Sequence, residues 1–453
     1  MTLSQIGCPR VGDLPERRFR MRRGGPAIES LSVRLELVTP VLGGAAVPRT
    51  IDKIDTVRVP SIRGQLRFWW RALHAHRFDD SKALWEAESA LFGRAADEGG
   101  GRSPVEVRVS VEKSGDVDPD DIQLYPKAGK PATPGAYALF PARAETGTGA
   151  KAAPRRKPGT TFTLELRGPG PVLNELHNVL RAWILFGGYG SRTRRGLGSL
   201  TVPGDDGKWL PKEPNLAELR RLLGDDVFAP ASRAATETPR LAGASLLVGQ
   251  SVQNAEAAWT TALGWLRDFR QGTSGESGKL AREPGAGGRP SISNWPEADK
   301  IRHLSNKIRS HKPRYGRDPA WPRASFGLPI VGQFQTHARD GGRYDEPGAY
   351  EINWKQGNEP RNRLASPLIV KAMPLADGKF VPIALWLDRA FPKGGVVVLR
   401  MGGEKVQGSE APFDKLLGRG DTTLFKPLAG KTSLRDAFLD WLVDTGRARR
   451  IAG

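Results

Sequence analysis

Apolar and polar residues alternate along three segments in the first half of the chain, and each alternation predicts a β-strand. The segments are residues 30–41, 103–113 and 161–168. The apolar positions of the first segment are Leu31, Val33, Leu35 and Leu37. Because the side chains of a strand point alternately to its two faces, this pattern predicts a sheet with one buried and one solvated face.

Two further segments of the same half repeat apolar residues at helical spacing. In residues 62–77 the repeat predicts an apolar stripe that packs on a sheet, with Ser61 placed as the N-cap. The stripe consists of Ile62, Leu66, Trp69 and Leu73. Residues 172–186 predict a second helix, followed by a glycine-rich loop and a short strand. This order is typical of a ferredoxin-like or RRM-like α+β unit, which we place at residues 27–205.

The second half of the chain starts a similar order again. The predicted strands are 243–250, 325–334, 366–375, 380–388 and 396–401, and the predicted helices are 256–271 and 432–446. Asp377-Gly378 between two of these strands indicates a hairpin. We therefore predict a second, related domain at 241–453, with 206–240 as a linker or insertion.

Long segments rich in glycine, proline and polar residues separate these elements. Residues 126–158 predict either a linker or an insertion that orders on binding, and residues 272–292 predict a loop. Residues 1–26 predict a basic, flexible arm. The predicted fold class is thus α+β, with two ferredoxin-like (RRM-like) domains and long loop insertions.

The charge of the chain points to an anionic partner. Lys and Arg total 69 against 49 Asp and Glu, which gives a net charge of +20 and an isoelectric point near 10.2. Clustered cations displace counterions from a phosphate backbone, so nucleic acid is the favoured partner. A merely soluble basic surface is the alternative, because net charge constrains partners and not the fold.

Several classes of protein are disfavoured by composition. The single cysteine, Cys8, excludes an internal disulfide and any multi-cysteine metal site, which fits a reducing compartment, and we expect a cytoplasmic protein. The sequence contains no run of about eighteen apolar residues, so no membrane span is predicted. The histidines lack zinc-ligand spacing, so neither a metal nor another cofactor is expected. They are His74, His76, His177, His303, His311 and His337.

Residues 187–199, GGYGSRTRRGLGS, combine a bare backbone with positive charge. Glycines let backbone amides approach phosphate closely, and guanidinium groups match phosphate oxygens. The glycines are Gly187, Gly188, Gly190, Gly196 and Gly198, and the arginines are Arg192, Arg194 and Arg195. No Walker lysine follows, which disfavours a nucleoside triphosphate. The alternative is a solvated glycine turn.

Two other groups of residues carry possible chemistry. Arg63, Arg67 and Arg71 lie on successive turns of the first predicted helix, with Trp70 beside them as a possible stacking plane. A simply solvated basic face is equally plausible. Asp52 and Asp55, in the preceding loop, would suit a metal-dependent ribonuclease, although surface solvation is the favoured interpretation. A histidine acting as acid or base is the other nuclease alternative.

Four motifs resemble the RAMP superfamily of CRISPR-associated proteins, and more narrowly a RAMP subunit of type III-B Cmr effector complexes. They are TPVLGG at 39–44, PSIRGQLRFWWRAL at 60–73, ALFG at 90–93 and GGYGSRTRRGLGSL at 187–200. In the second half GWLRDFRQG at 264–272, WPEADKIR at 295–302, RASFGLPI at 323–330 and RLASPLIVK at 363–371 are similar to later motifs of such a subunit. The resemblance covers most of the chain from about 30 to 390.

The resemblance implies two ferredoxin-like domains in a subunit near the 3' portion of the guide RNA that helps to capture target RNA. It implies CRISPR guide RNA, target RNA and other RAMP subunits as partners. The family's glycine-rich loop corresponds to the glycines and arginines of 187–198, and its helix motif to Ser61, Arg63, Gly64, Arg67, Trp69, Trp70 and Arg71. Target cleavage in such complexes belongs to the repeated backbone subunits.

The predicted function is therefore RNA binding without catalysis. The alternative is an endoribonuclease that uses Asp52, Asp55 or a histidine. A third possibility is an assembly cap that binds only neighbouring proteins.

Overall fold

The computed structural model describes residues 27–453 except for 46, 96–98, 127–128, 146, 148, 273–281, 284–291, 310, 335–343 and 362. The predicted arm at 1–26 and most of the predicted loop at 272–292 lie outside the described residues. Eight α-helices occur in the described part of the chain. They are α1 (Val59–His74), α2 (Ser81–Phe92), α3 (Ala136–Leu139), α4 (Gly170–Phe186), α5 (Leu216–Leu223), α6 (Ala255–Gln271), α7 (Pro296–Leu304) and α8 (Leu434–Asp444).

The first half forms a four-stranded antiparallel sheet with two helices on one face. The strands of the first half are β1 (Ile28–Leu37), β2 (Val41–Leu42), β3 (Glu106–Lys113), β4 (Val117–Asp118), β5 (Arg155–Arg156), β6 (Thr160–Pro169) and β7 (Leu200–Thr201). The main sheet has the order β3-β6-β1-β7, and β2, β5 and β4 form a small separate sheet. With α1 after β1 and α4 after β6, this is the ferredoxin-like arrangement.

The second half repeats the arrangement. Its strands are β8 (Arg240–Val248), β9 (Arg282–Glu283), β10 (Ile292–Ser293), β11 (Ile330–Gly332), β12 (Tyr350–Gln356), β13 (Glu359–Arg361), β14 (Leu368–Pro374), β15 (Phe380–Asp388), β16 (Gly395–Met401), β17 (Glu404–Lys405), β18 (Ala411–Pro412) and β19 (Arg449–Ala452). The second ferredoxin-like sheet has the order β14-β15-β8-β19, with α6 after β8 and α8 after β15. The predicted fold class is confirmed.

The second half also holds a sheet that the sequence did not predict as a unit. β11, β12, β16 and β17 lie side by side, with β13 paired to β12 and β18 paired to β16. This sheet has its own small apolar core, which includes Trp321, Ile352, Trp354 and Leu399. It is built from segments inserted between α6 and α8.

The two ferredoxin-like sheets share one layer of helices. α1 and α4 pack on the first sheet and, on their other side, on β8 and β14. Strand β6 alternates buried and half-buried residues, whereas every residue of β14 is buried. The apolar core accordingly contains Leu164 of the first sheet together with Ile369 and Met373 of the second. The layers run sheet, helices, sheet, helices.

Some sequence expectations about local structure are wrong. Helix α1 begins at Val59 with Arg58 as its N-cap, so Ser61 lies inside the first turn and does not cap the helix. The strand predicted at 325–334 is reduced to β11, because the preceding residues form the 3-10 turn Pro322–Phe326. A strand needs partners along its length, and Ile330–Gly332 is the part that pairs with β12.

The segment 126–158 has ordered structure in its described residues. It contains α3 and β5, and the side chains of Ala138 and Leu139 are fully buried against α6. It is therefore a packed insertion, and not a free linker. The domain limits at 205 and 241 stay a proposal, since α5 between them also packs on α4. None of the helices in the described ranges has both the length and the apolar character to cross a bilayer.

Candidate nucleic-acid interface

The glycine-rich loop, residues 187–199, connects α4 to β7 and is packed tightly. Gly196 and Gly198 adopt left-handed backbone conformations, with φ of +76° and +62°. A Cβ on Gly196 would overlap the ring of Trp259, and one on Gly198 would overlap the carbonyl oxygen of Tyr189. These glycines are thus required by backbone conformation and close packing. This observation gives them a role that does not depend on phosphate.

Two residues of the second half of the chain form hydrogen bonds with the backbone of this loop and of the helix end before it. The indole Nε1 of Trp259 donates a hydrogen bond to the carbonyl of Arg195 at 2.7 Å. Lys371 of β14 donates to the carbonyls of Gly187 at 2.7 Å and Ile184 at 3.1 Å. The loop therefore lies at the contact between the two ferredoxin-like units, and its position depends on both.

The three arginines of the loop have different surroundings. Arg192 has a φ of 60°, which is strained for a residue other than glycine, and its Nη1 donates to the carbonyl of Ala138 at 3.1 Å. Arg194 donates to the carbonyl of Ser366 at 2.6 Å and lines a small separate pocket beside α1. Arg192 and Arg195 line a larger cleft on the other side. The structure therefore brings together two of the three predicted arginines.

This cleft has a volume of about 1070 Å³ and lies between the loop, the 126–158 insertion and α6. Arg267 and Arg270 of α6 line it together with Arg192 and Arg195. Arg267 is paired with Asp268 at 2.7 Å. This volume lies at the upper end of the roughly 300–1,000 Å³ that ligand sites usually measure.

The other three arginines of the cleft have no paired carboxylate among the described residues. Burial lowers the pKa of the Arg195 guanidinium to about 9, and the charge of Arg270 adds to the effect. Burial also lowers the pKa of Arg192. Within the described part of the chain, no carboxylate forms an ion pair with Arg192, Arg195 or Arg270, since Asp268 of the same cleft pairs with Arg267 and Arg447. Arg192 is exposed, whereas the Nη1 atom of Arg195 is buried without a hydrogen-bond partner in this part of the chain. Crowded like charges of this kind favour a bound anion.

The predicted contacts on the first helix have another role in the structure. Arg67 and Arg71 both pair with the buried Glu88 of α2, at 2.6 Å and 2.7 Å. Trp70 is 4% exposed and donates its Nε1 hydrogen to a carboxylate of α4, which leaves no free plane for a base. Arg63 donates to a backbone carbonyl at 3.1 Å. These contacts within the protein leave the four residues less available to RNA than the cleft arginines, and their role as RNA contacts stays a prediction.

The two candidate nuclease aspartates lie in an exposed turn. The Oδ1 atom of Asp52 accepts hydrogen bonds from the backbone N–H groups of Ile54 and Asp55, both at 2.9 Å. These bonds lower the pKa of Asp52. No group of three His, Cys, Asp or Glu side chains that could hold a metal ion occurs among the described residues. The turn accounts for Asp52 without a catalytic role.

The histidines of the described ranges are engaged in packing and local contacts. Burial lowers the pKa of both His74 and His177 to about 4, so neither is protonated at neutral pH. His76 lies 3.2 Å from Asp226, and His303 contacts the carbonyl of Tyr315 at 3.0 Å. His337 lies outside the described residues.

On the open face of the first sheet, positive and negative side chains pair with one another. Its arginines pair with neighbouring acids on the same face. The pairs are Arg34–Glu112 at 2.7 Å, Arg108–Glu106 at 3.1 Å and Arg167–Glu165 at 4.0 Å. Since these pairs satisfy one another and the face has no aromatic side chain, it lacks the features of an RNA-binding sheet.

Two residues of the candidate interface were not predicted from the sequence as RNA contacts. Arg267 and Arg270 lie three positions apart on α6, in the segment GWLRDFRQG. Residues at this spacing share one face of a helix. That spacing was a usable signal, but only the fold shows that this face lies opposite the glycine-rich loop.

Comparisons with known proteins relate mainly the first half of the chain to a family. Residues 34–201 match the sequence profile of the RAMP superfamily. A curated protein from Pyrococcus furiosus, CRISPR system Cmr subunit Cmr1-1, is 33% identical over 150 residues. This alignment spans 32% of the present chain and 40% of the length of that relative.

Two solved structures align with most of this chain at low sequence identity. The crystal structure of Cmr1 from Pyrococcus furiosus in its apo form aligns over 94% of this chain and 99% of that chain, with a TM-score of 0.48 and 15% identity. A chain in a cryo-EM structure of Type III-B Cmr-beta bound to cognate target RNA aligns over 80% of this chain and 96% of that chain, with a TM-score of 0.41 and 13% identity.

Proposed function

We propose, from the match of residues 34–201 to the RAMP superfamily profile, that the chain is an RNA-binding subunit of a type III-B CRISPR (Cmr) effector complex. In this proposal Arg192, Arg195 and Arg270 hold the sugar-phosphate backbone of RNA in the cleft. The ligand is guide RNA, target RNA or both, near the 3' end of the guide. The protein partners are other RAMP subunits, as the curated relative's name, a Cmr subunit, suggests.

One observation carries the RNA-binding proposal. The structure pairs Arg67, Arg71 and the arginines of the open sheet face with acids, but it leaves the three cleft arginines without a carboxylate in the described ranges. Keeping unpaired cations close together costs free energy, and a polyanion in the cleft removes that cost. The strained backbone at Arg192 supports the same conclusion, because strain of this kind clusters at ligand sites.

A catalytic role has no comparable support. Asp52 is accounted for by its turn, and Asp55 is exposed on the same turn. We therefore propose that the chain binds RNA without cleaving it. An assembly cap that contacts only proteins would leave the unpaired arginines of the cleft unexplained.

Alanine at Arg192, Arg195 and Arg270 together should weaken the binding of a labelled single-stranded RNA at least tenfold at 0.15 M salt. Each lost phosphate contact removes about 0.7 from the slope of log affinity against log salt, so the slope should fall by about 2. Fluorescence anisotropy across a salt series measures both quantities. The same RNA, incubated with the protein and magnesium and run on a denaturing gel, should remain intact.

The matched control removes three arginines from the open sheet face, by alanine at Arg34, Arg108 and Arg167. It changes the net charge by the same amount and should leave affinity and slope close to the wild type. Equal losses in the two variants would show that only net charge matters. Cleavage of the RNA, abolished by Asp52→Asn, would replace the binding role with the nuclease alternative.

A further inference from the structure

The cleft that holds the unpaired arginines also has an apolar wall. Phe140 belongs to the 126–158 insertion and Tyr125 directly precedes it. Val331 comes from β11 on the opposite side. Their side chains are 73%, 49% and 75% exposed. Large apolar side chains gathered at one exposed cleft are unusual in a monomer and indicate a binding surface.

This wall is held in place by the rest of the protein. Arg49 donates to the carbonyls of Pro141 and Arg143, at 2.8 Å and 2.7 Å, on either side of the buried Ala142. Arg192 of the glycine-rich loop donates to the carbonyl of Ala138 at 3.1 Å. The part of the wall that carries Phe140 and the basic side of the cleft are therefore joined directly through Arg192.

The position of Phe140 suits a flat ligand. The guanidinium carbon of Arg143 lies 4.0 Å from the centre of the Phe140 ring, so one face of this ring is covered by a cation. The ring is nevertheless half exposed. Tyr137, one turn earlier, also lines the cleft and lies close enough to Arg192 and Arg195 to affect the pKa of both guanidinium groups. Aromatic rings thus stand beside the phosphate-binding arginines.

A ligand that satisfies both sides of the cleft carries negative charge along one edge and flat apolar groups along the other. Single-stranded nucleic acid has this character, since every base offers an aromatic face and every nucleotide a phosphate. In a duplex the bases are stacked on one another, and side chains cannot reach their faces. An acidic peptide supplies charge but no series of flat rings.

We propose that Tyr125 and Phe140 form a base-stacking wall, so that the cleft selects single-stranded RNA whose unpaired bases pack on these two rings. This inference rests on the proposed function, because it assumes that RNA occupies the cleft. It assigns the insertion a direct role in binding. It also predicts little preference among bases, since stacking uses the ring face that all bases share.

The test compares the affinity of the protein for a twelve-nucleotide oligouridine with its affinity for an abasic ribose-phosphate oligomer of the same length. Wild-type protein should bind the oligouridine at least tenfold more tightly than the abasic oligomer and than a duplex of the same length. Tyr125→Ala combined with Phe140→Ala should reduce the oligouridine preference to less than about threefold. The slope of log affinity against log salt should not change, because no phosphate contact is lost.

Two controls make the result specific. Tyr125→Phe combined with Phe140→Tyr keeps both rings and should retain most of the preference for oligouridine. Trp85→Ala removes an exposed aromatic side chain of α2 that lies outside the cleft, and should have no effect.

Each outcome separates the two proposals. If alanine at the cleft arginines weakens binding while the Tyr125→Ala, Phe140→Ala variant keeps the full preference, the stacking wall is wrong and the RNA-binding function stands. Equal binding of duplex and single strand by the wild type also overturns the wall. If the arginine variant binds oligouridine as the wild type does, the proposed function itself fails.

Discussion

Raising the pH from 7 to 10 should stabilise this protein by about 3 kcal/mol through Lys371 alone. The side chain of Lys371 is fully buried in β14 between Ile369 and Met373, and burial lowers its pKa from 10.5 to about 7. The unfolded lysine keeps its proton up to about pH 10.5, whereas the folded one loses it near pH 7. Between these values the unfolded state binds more protons, so the free energy of unfolding rises with pH.

The geometry explains why a lysine is tolerated at this position. Its Nζ atom donates to the carbonyls of Ile184 and Gly187, at the C-terminal end of α4. The last carbonyls of a helix lack partners within it and carry a partial negative charge. Lys371 therefore supplies, from the second half of the chain, hydrogen-bond donors for carbonyls at the end of α4, and a neutral amine can still make these bonds.

Denaturant unfolding at several pH values between 7 and 10 measures this effect. Lys371→Met removes the titrating group at similar volume, so most of the rise should disappear. Lys379→Met serves as the control, because Lys379 is exposed on the neighbouring hairpin, where it pairs with Asp377. If the wild-type and Lys371→Met curves run parallel over this range, then Lys371 keeps its ordinary pKa and the prediction is wrong.

Alanine at Asp421 should lower the free energy of unfolding by about 3–5 kcal/mol. The ion pair between Lys300 of α7 and Asp421 is almost completely buried, with side chains 0% and 1% exposed. Asp421 also accepts hydrogen bonds from the N–H groups of Gly316 and Gly418, both at 2.8 Å. Its removal leaves the charge of Lys300 buried with one carbonyl partner, Gly316, at 2.9 Å.

Chemical denaturation of matched variants checks this value. Asp377→Ala breaks an exposed pair with Lys379 and should cost less than about 1 kcal/mol. The double change Lys300→Met, Asp421→Leu removes both charges and should recover part of the loss, because no charge is then buried alone. A loss from Asp421→Ala no larger than that from Asp377→Ala would contradict the prediction.

Apolar periodicity identified the elements that pack on apolar neighbours, and it failed where a buried face is charged. Alternation located β1, β3 and β6, and helical spacing located α1 and α4. Helix α7 went unrecognised because its buried residues are mostly charged. They include Glu297, Asp299, Lys300 and Arg302, which form ion pairs with one another and with charged residues far along the chain. Strand β12 was missed because its buried centre is short, with Ile352 and Trp354 between polar residues.

The candidate site was only partly predictable for a similar reason. Local composition identified the glycine-rich loop and its arginines. It could not show that Glu88 neutralises Arg67 and Arg71, because Glu88 reaches them only through the packing of α2 on α1. Nor could it show that Arg270 faces Arg195, since these residues come from different ferredoxin-like units. A charged residue can be assigned to a ligand site only when the fold shows whether another residue of the protein already neutralises it.

The shared helical layer has a consequence for how the protein is made. The ribosome releases α1 and α4 well before it synthesises β8 and β14, whose apolar residues cover the outer side of those helices. During that interval the first unit carries an uncovered apolar surface, which favours aggregation of the nascent chain. Slower translation or chaperone capture across residues 205–370 should therefore affect the yield of native protein more than stability measurements on the finished protein suggest.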